Sequence, residues 1–228
     1  MPNALSNDEA SSIHFKPEIS SFDDSANRIV RFSDGTTESG IDSVIFCTGY
    51  FYSYPFLLGL SPHVTEDGRT LRHLFEHMLF IPDPSLAFLG VPQRVVPFPI
   101  AEAQSATIAR WWSNRLALPT KEEMTMWEEQ EIQKRDCDVS SLHDLRYPRD
   151  VAYINRLHDL SSKAAPLHGL EREGHGREAP YWDEEKAWVR ERFPAIKEAS
   201  QKLGMKRVEV KRLEELGFDF KAWKQEKN

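Results

Sequence analysis

The sequence predicts an α/β fold that gives way to a helical tail, and three observations carry the prediction. Two short apolar runs, at residues 42–47 and 85–91, are rich in β-forming residues. Such runs read as strands buried on both faces, as in a parallel sheet. A proline-marked loop and an alanine-rich helix follow the second run. Beyond residue 118 the composition shifts to charged, helix-periodic sequence.

Residues 1–12 are polar and read as a frayed start. Ile13–Phe15 forms a candidate short strand stopped by Lys16-Pro17. Arg28–Phe32 alternates charged and apolar residues, the pattern of a half-buried strand, and Asp34-Gly35 then signals a tight turn. Asp42–Cys47 is the first buried strand and ends at Thr48-Gly49-Tyr50. Residues 51–70 read as an aromatic, proline-marked loop. The pattern at 71–78 (LRHLFEHM) leaves helix and strand open. Ile81-Pro82-Asp83-Pro84 is a rigid turn. Ser85–Val91 is the second buried strand, and a helix runs from Ile100 to Leu116 until Pro119 breaks the pattern.

Thr120 and Glu123 stand at capping-box spacing, which opens a helix to about Arg135. Pro148, with Val151, Ile154 and Leu157, marks another amphipathic helix. Tyr181–Arg192 is a third, interrupted by Pro194 and continued over Ala195–Leu203 to a Gly204 cap. Leu213–Gly217 suggests a last helical turn.

Composition narrows the function. The chain has 228 residues, 29% charged and 40% hydrophobic, with a net charge of −7. That balance fits a soluble globular protein and offers no cationic surplus for nucleic acid. Two cysteines, Cys47 and Cys137, make no disulfide framework. With no apolar segment of about 18 residues, the expectation is a cytosolic protein without a membrane span.

Two places carry candidate chemistry. In parallel α/β sheets, ligands sit beyond the carboxyl ends of strands, where Thr48-Gly49-Tyr50 falls, and glycine permits close backbone approach. The alternative is a strand that needs a glycine to turn. At the second place, Pro92-Gln93-Arg94-Val95-Val96-Pro97-Phe98-Pro99 fixes a loop ahead of a helix amino terminus. Such an end suits an electron-rich group; a plain strand-loop-helix connection is the alternative.

Two further motifs point elsewhere. His73-Leu74-Phe75-Glu76-His77 matches the inverted zinc-peptidase pattern H-x-x-E-H, but Pro82 and Pro84 leave little room for the helix it needs. No metal site is expected. Gly174-His175-Gly176-Arg177-Glu178-Ala179 formally fits G-x-G-x-x-A, yet polar residues precede it and Pro180 follows. It reads as a surface loop.

The segments IDSVIFCTGYFYSYPFLL (41–58) and PSLAFLGVPQRVVPFPIAEAQSATIARWW (84–112) resemble the flavin-containing monooxygenases, especially fungal, dimethylaniline monooxygenase-like members. The hairpin at Asp34-Gly35 and the tail segment Glu215–Asp219 add to the resemblance, which spans about residues 13–220. It implies a flavoprotein with two dinucleotide-binding, Rossmann-like domains that uses FAD and NADPH to oxygenate soft nitrogen or sulfur nucleophiles. Residues 1–50 would close the nicotinamide domain and return to the flavin domain. Residues 51–118 would be the carboxyl-terminal part of the flavin domain, and 119–228 the helical tail. Thr48, Gly49 and Tyr50 would lie where the domains rejoin. Gln93, Val95, Val96 and Pro97 would lie near the isoalloxazine, with Ala101 opening a helix aimed at its pyrimidine side. Cys47 stands where the family usually has alanine, and as a strand-buried thiol it would be inert. Both phosphate loops and the catalytic residues of the family's amino-terminal half are missing. The chain therefore resembles a carboxyl-terminal portion, inactive alone and in need of a complementing amino-terminal segment. A non-catalytic, partner-binding fragment is the rival reading.

Overall fold

The computed structural model describes residues 14–23 and 27–227, a mixed α/β chain that divides into two compact units. The first comprises residues 1–50 and 194–219, the second 51–193 and 220–228.

In the first unit, β1 (Ile19–Phe22), β2 (Val30–Phe32) and β3 (Thr37–Glu38) form an antiparallel sheet in that order. Val30 and Phe32 are buried and Arg31 is exposed, so the alternation sets the face as expected. Asp34 accepts hydrogen bonds from the Thr36 N–H (2.9 Å) and hydroxyl (2.7 Å), and Gly35 adopts φ 83°, which closes the β2–β3 turn. The first strand lies later than the sequence suggested. Ile13 is outside the described residues, His14 and Phe15 are irregular and exposed, and the polar ISSF of β1 carries no apolar signal.

The expected buried strand at Asp42–Cys47 does not form. Residues 42–50 are irregular, and Ile45 is 84% exposed. A strand buried on both faces needs ladders beside it, and no described segment pairs with this one. The parallel sheet is thus not seen; the described strands all pair antiparallel.

In the second unit the ambiguous segment 71–78 resolves as a hairpin of β4 (Leu74–Phe75) and β5 (Leu79–Phe80). Glu76 and His77 turn it with φ of 52° and 56°, and the Met78 N–H donates to the Phe75 carbonyl (3.0 Å). Ser85–Val91 is a correction too. It makes one antiparallel bridge, Leu79 to Ala87, and is only partly buried: Phe88 and Val91 are inside, while Ser85, Leu89 and Gly90 are exposed. An edge segment beside a two-residue strand has one face to bury, not two.

Helix α1 runs from Pro97 to Trp112. It begins three residues before the expected Ile100 because proline at the first helical position has the right φ and needs no donor there. It ends before Leu116, where Asn114 turns left-handed at φ 55°. The capping box forms: Thr120 accepts from Glu123 N–H and Glu123 returns the bond, opening α2 (Lys121–Gln133). Helix α3 (Arg149–Ser161) buries Tyr153, Ile154 and Leu157, and α1 packs on it. The composition shift near residue 118 therefore falls inside one packed unit. Helix α4 (Glu184–Glu191) opens at the Asp183 cap, not at Tyr181. A break at Arg192 separates it from α5 (Phe193–Lys202). Gly204 is left-handed at φ 54°, and a short turn at Leu213–Leu216 closes on Gly217. Helix α6 (Phe220–Glu226), unforeseen in a charged sequence, stacks Phe220 and Trp223 on Trp188 of α4.

The larger core joins Phe75 and Met78 to Ile100, Trp111, Met124 and Ile154. A smaller one gathers Leu71, Leu74, Phe80, Phe88 and Val91. Buried Glu128 of α2 accepts from the His73 N–H (2.6 Å) and Leu74 N–H (3.4 Å), fastening the hairpin to the helix. Among the described residues no helix is long and apolar enough to cross a membrane.

Candidate cofactor-contact segments

The residues singled out from sequence fall in two units, each described by itself. In the first unit Thr48, Gly49 and Tyr50 are all exposed. Gly49 has φ 89°, and a Cβ added there would meet nothing within 4 Å. The glycine is required by backbone conformation, not by crowding within this chain. Cys47 is exposed, which corrects the expectation of a strand-buried thiol.

In the second unit the loop before α1 is held from several sides. The Gln93 N–H donates to the His143 carbonyl (2.8 Å), and the Gln93 carbonyl accepts from Leu145 N–H (3.2 Å). The Gln93 amide donates to the Tyr52 hydroxyl (3.0 Å), which donates to the Val91 carbonyl (2.7 Å). Burial pushes the Tyr52 phenol up, so it stays protonated as a donor. Arg94, left-handed at φ 59°, pairs with Asp144 (2.7 Å). The Arg94 carbonyl accepts from Arg190 (3.1 Å), whose guanidinium also meets buried Asp150 at 2.5 Å. Val95 and Val96 are half-buried and Pro97 is exposed.

The helix end differs from the expectation. Pro97 and Pro99 bring no N–H, and the Ile100 N–H lies 3.5 Å from the Val96 carbonyl. The first turn of α1 thus offers fewer donors than an ordinary helix start. Ala101 lies beyond the start and lines a groove of about 660 Å³ with Phe98, Ser105, Ala109 and Arg110.

Sequence reading missed Gln104, Tyr52, Asp150 and Arg190. Gln104 is fully buried, accepts from Gly90 N–H (2.9 Å) and donates to the Tyr153 hydroxyl (3.0 Å). Its signal was a polar residue on the inward face of an alanine-rich helix. The Asp150–Arg190 pair spans 40 residues and left no local trace.

The H-x-x-E-H match sits on the hairpin, not on a helix. His73 and His77 do not share a helical face, and both are left-handed. His77 Nδ1 lies 3.0 Å from His143 Nδ1, while Glu76 pairs with Arg156 (2.6 Å). Among the described residues no group of His, Cys, Asp and Glu could hold a metal ion. The G-x-G-x-x-A match follows a short turn at Glu171–Gly174, and the next helix opens only at Glu184. No strand leads into it, so it lacks the strand-turn-helix context of a phosphate loop.

Comparison with known proteins shows the family of the chain. The model of a family described as flavin-binding monooxygenase-like matches residues 5–166. A thiol-specific monooxygenase of Saccharomyces cerevisiae is 34% identical over 143 residues, 59% of this chain and 30% of that protein. The flavin-containing monooxygenase FMO GS-OX-like 9 of Arabidopsis thaliana is 33% identical over 145 residues, 63% of this chain and 30% of that one. The solved structure of S-allyl-L-cysteine S-oxygenase from Allium sativum superposes with a TM-score of 0.51 at 27% identity, covering 74% of this chain and 41% of its own. The chain spans about a third of the length of these curated relatives. The match runs over both candidate segments and most of the chain, which therefore belongs to the flavin-binding monooxygenase-like family.

Proposed function

We propose that this chain is the carboxyl-terminal portion of an FAD- and NADPH-dependent monooxygenase that oxygenates a soft sulfur or nitrogen nucleophile. The observation that carries the reading is the family match across residues 5–166, which includes both candidate segments. Relatives bearing the names thiol-specific monooxygenase and S-allyl-L-cysteine S-oxygenase favour sulfur.

The residues present fit part of a flavin. The loop at 92–96 is fixed through Tyr52, Asp144, His143 and Arg190; its Val95 packs against the larger core and its Val96 is half-buried. Fixed apolar walls and one amide suit the edge of a flat heterocycle. Nothing on the described residues suits its pyrophosphate, because a glycine-rich strand-turn-helix is absent from them. Bound flavin would supply the oxygen activation. Gln93, Val95, Val96 and Pro97 would position its ring and exclude water, and Thr48–Tyr50 would stand where a nicotinamide domain rejoins the flavin domain. In this reading residues 1–50, 51–118 and 119–228 are the domain return, the end of the Rossmann-like flavin domain and the helical tail. An amino-terminal segment supplies the phosphate loops and the catalytic polar groups, and the assembled enzyme works in the cytosol on a small-molecule substrate.

Exposed apolar side chains support the complementing segment. Ile45 and Phe46 in the first unit, and Phe51, Phe56 and Phe98 in the second, are exposed apolar side chains that such a segment would cover. The test is reconstitution. The chain is expressed alone and together with the amino-terminal portion of the yeast relative, and bound flavin is read by absorbance. The chain alone is expected to be colourless; the pair is expected to be yellow and to oxidise NADPH in the presence of a thiol. A soluble, colourless pair would overturn the reading.

A further inference from the structure

A second cavity, of about 300 Å³, lies between the end of α2 and the start of α3. Lys134, Arg135, Arg149 and Arg156 line it, with Glu131 as the one carboxylate and His77 at its wall. The lining residues carry a surplus of three positive charges, two once the Glu76 carboxylate paired with Arg156 is counted, inside a protein whose net charge is −7.

The arrangement follows from the two helices. Lys134 and Arg135 come just after the last residue of α2, where cations complement the helix dipole. Arg149, Ala152, Tyr153 and Arg156 recur at helical spacing on one face of α3, and the small Ala152 leaves room between the two arginines. Arg135 is a built part of the wall. Its side chain is only 4% exposed, and its guanidinium donates to the Glu131 carbonyl (2.6 Å), the Ser141 carbonyl (3.0 Å) and the Glu131 carboxylate (2.9 Å). Lys134 Nζ shares that carboxylate at 2.7 Å. Burial opposes ionisation of Glu131, but those hydrogen bonds outweigh it and hold the carboxyl below its ordinary value. It is therefore already engaged with two cations. Arg156 stacks over Trp127 and Tyr153 while it pairs with Glu76, so its place is fixed. Arg149 has no carboxylate partner among the described residues; its guanidinium makes a long bond to the Asp144 carbonyl (3.4 Å). His77 is fully buried and stays neutral, chiefly through desolvation and then through His143, Arg135 and Arg156.

We propose that this cavity is an anion site that takes a phosphate group, free or as a small phosphomonoester. Partly buried guanidinium groups and an ammonium match a tetrahedral dianion in charge and in hydrogen-bond donors. The local surplus is neutralised by two negative charges better than by one, which favours phosphate over a monocarboxylate.

The test uses the full chain and isothermal titration calorimetry at about 20 mM salt, where screening is weak. Inorganic phosphate, glycerol 3-phosphate and acetate are titrated in turn. Saturable binding of either phosphate, with acetate at least about tenfold weaker, is the expected result. Lys134→Ala/Arg149→Ala removes two exposed cations without touching the core, and should weaken phosphate at least about tenfold. Lys206→Ala/Arg207→Ala removes the same charge from the other compact unit and should leave binding unchanged. Tighter glycerol 3-phosphate would identify an ester as the ligand class; equal or weaker binding would identify free phosphate. No saturable heat, acetate binding as tight as phosphate, or equal losses in both double variants would each overturn the proposal.

Discussion

Arg190→Met tests how the loop before α1 is held. Arg190 Nε lies 2.5 Å from Asp150 Oδ2, and the Asp150 side chain is 0% exposed. Truncating the cation leaves that carboxylate buried with only the Val151 N–H (2.9 Å) as donor. Breaking a buried pair from one side costs about 3–5 kcal/mol. Arg190 keeps 14% of its side chain in water, which argues for the lower end, about 3 kcal/mol. The Arg94 carbonyl also loses a partner, for about 1 kcal/mol more. In a unit of about 150 residues each kcal/mol moves Tm by roughly 2–4 °C. Arg190→Met should therefore lower Tm by about 8–16 °C. Asp150→Asn keeps one acceptor oxygen where Arg190 and the Val151 N–H now meet separate oxygens, so it should cost less than Arg190→Met without being neutral. Thermal melts of the full chain at low and high salt measure this, and the losses should barely depend on salt because the pair is shielded. A drop under about 2 °C for Arg190→Met, or one erased by salt, would refute the reasoning.

Other outcomes follow from the same geometry. Glu76 is raised to about 7 by burial against the pull of Arg156, whereas His143 is lowered to about 4, chiefly by burial. The Glu76 contribution to stability is complete below its ordinary 4.5 and lost as pH rises through about 7. The His143 contribution is complete above 6.5 and lost as pH falls through about 4. The two oppose each other, so Glu76→Gln should steepen the loss of stability between pH 6.5 and 4.5; denaturant midpoints across that window with unchanged slope would contradict it. Thr120→Ala removes half of the capping box and should cost about 1 kcal/mol in urea unfolding, restored in part by Thr120→Ser. Gly49→Val must hold a β-branched residue at φ 89°, so in the reconstituted enzyme NADPH oxidation should fall more than thermal stability; unaltered oxidation would leave the residue a structural turn.

Local chemistry was legible where it acts within a few residues. The Thr120–Glu123 box, the Asp34-Gly35 turn and the inward stripe of α3 needed no distant partner. The apolar run at 42–47 was misleading because its composition speaks of neighbours, and the described residues provide none beside it. Ser85–Val91 failed similarly, since one bridge to a two-residue strand buries a single face. The start of α1 was misplaced because Pro97 was read as part of the fixed loop, although at the first helical position proline starts a helix. Of the candidate site, the fixed loop was visible in its prolines. Its fasteners, Tyr52, Asp144 and Arg190, lie 41, 50 and 96 residues from the groups they hold, and no periodicity reports such pairs.

The Glu76–His77 turn has a consequence for the order of folding. A tight turn with two non-glycine residues at positive φ is disfavoured on its own, by roughly 1–2 kcal/mol for each. What compensates comes from far along the chain. Arg156 grips the Glu76 carboxylate, the Tyr153 hydroxyl donates to the Glu76 carbonyl (2.5 Å), and His143 meets His77. This hairpin has one local turn bond, from the Met78 N–H to the Phe75 carbonyl, and the contacts that offset its strain are distant. Its strands should register only after α2 and α3 have docked. Glu76→Gly would then remove strain and side-chain contacts together, changing the unfolding rate and leaving the folding rate nearly untouched.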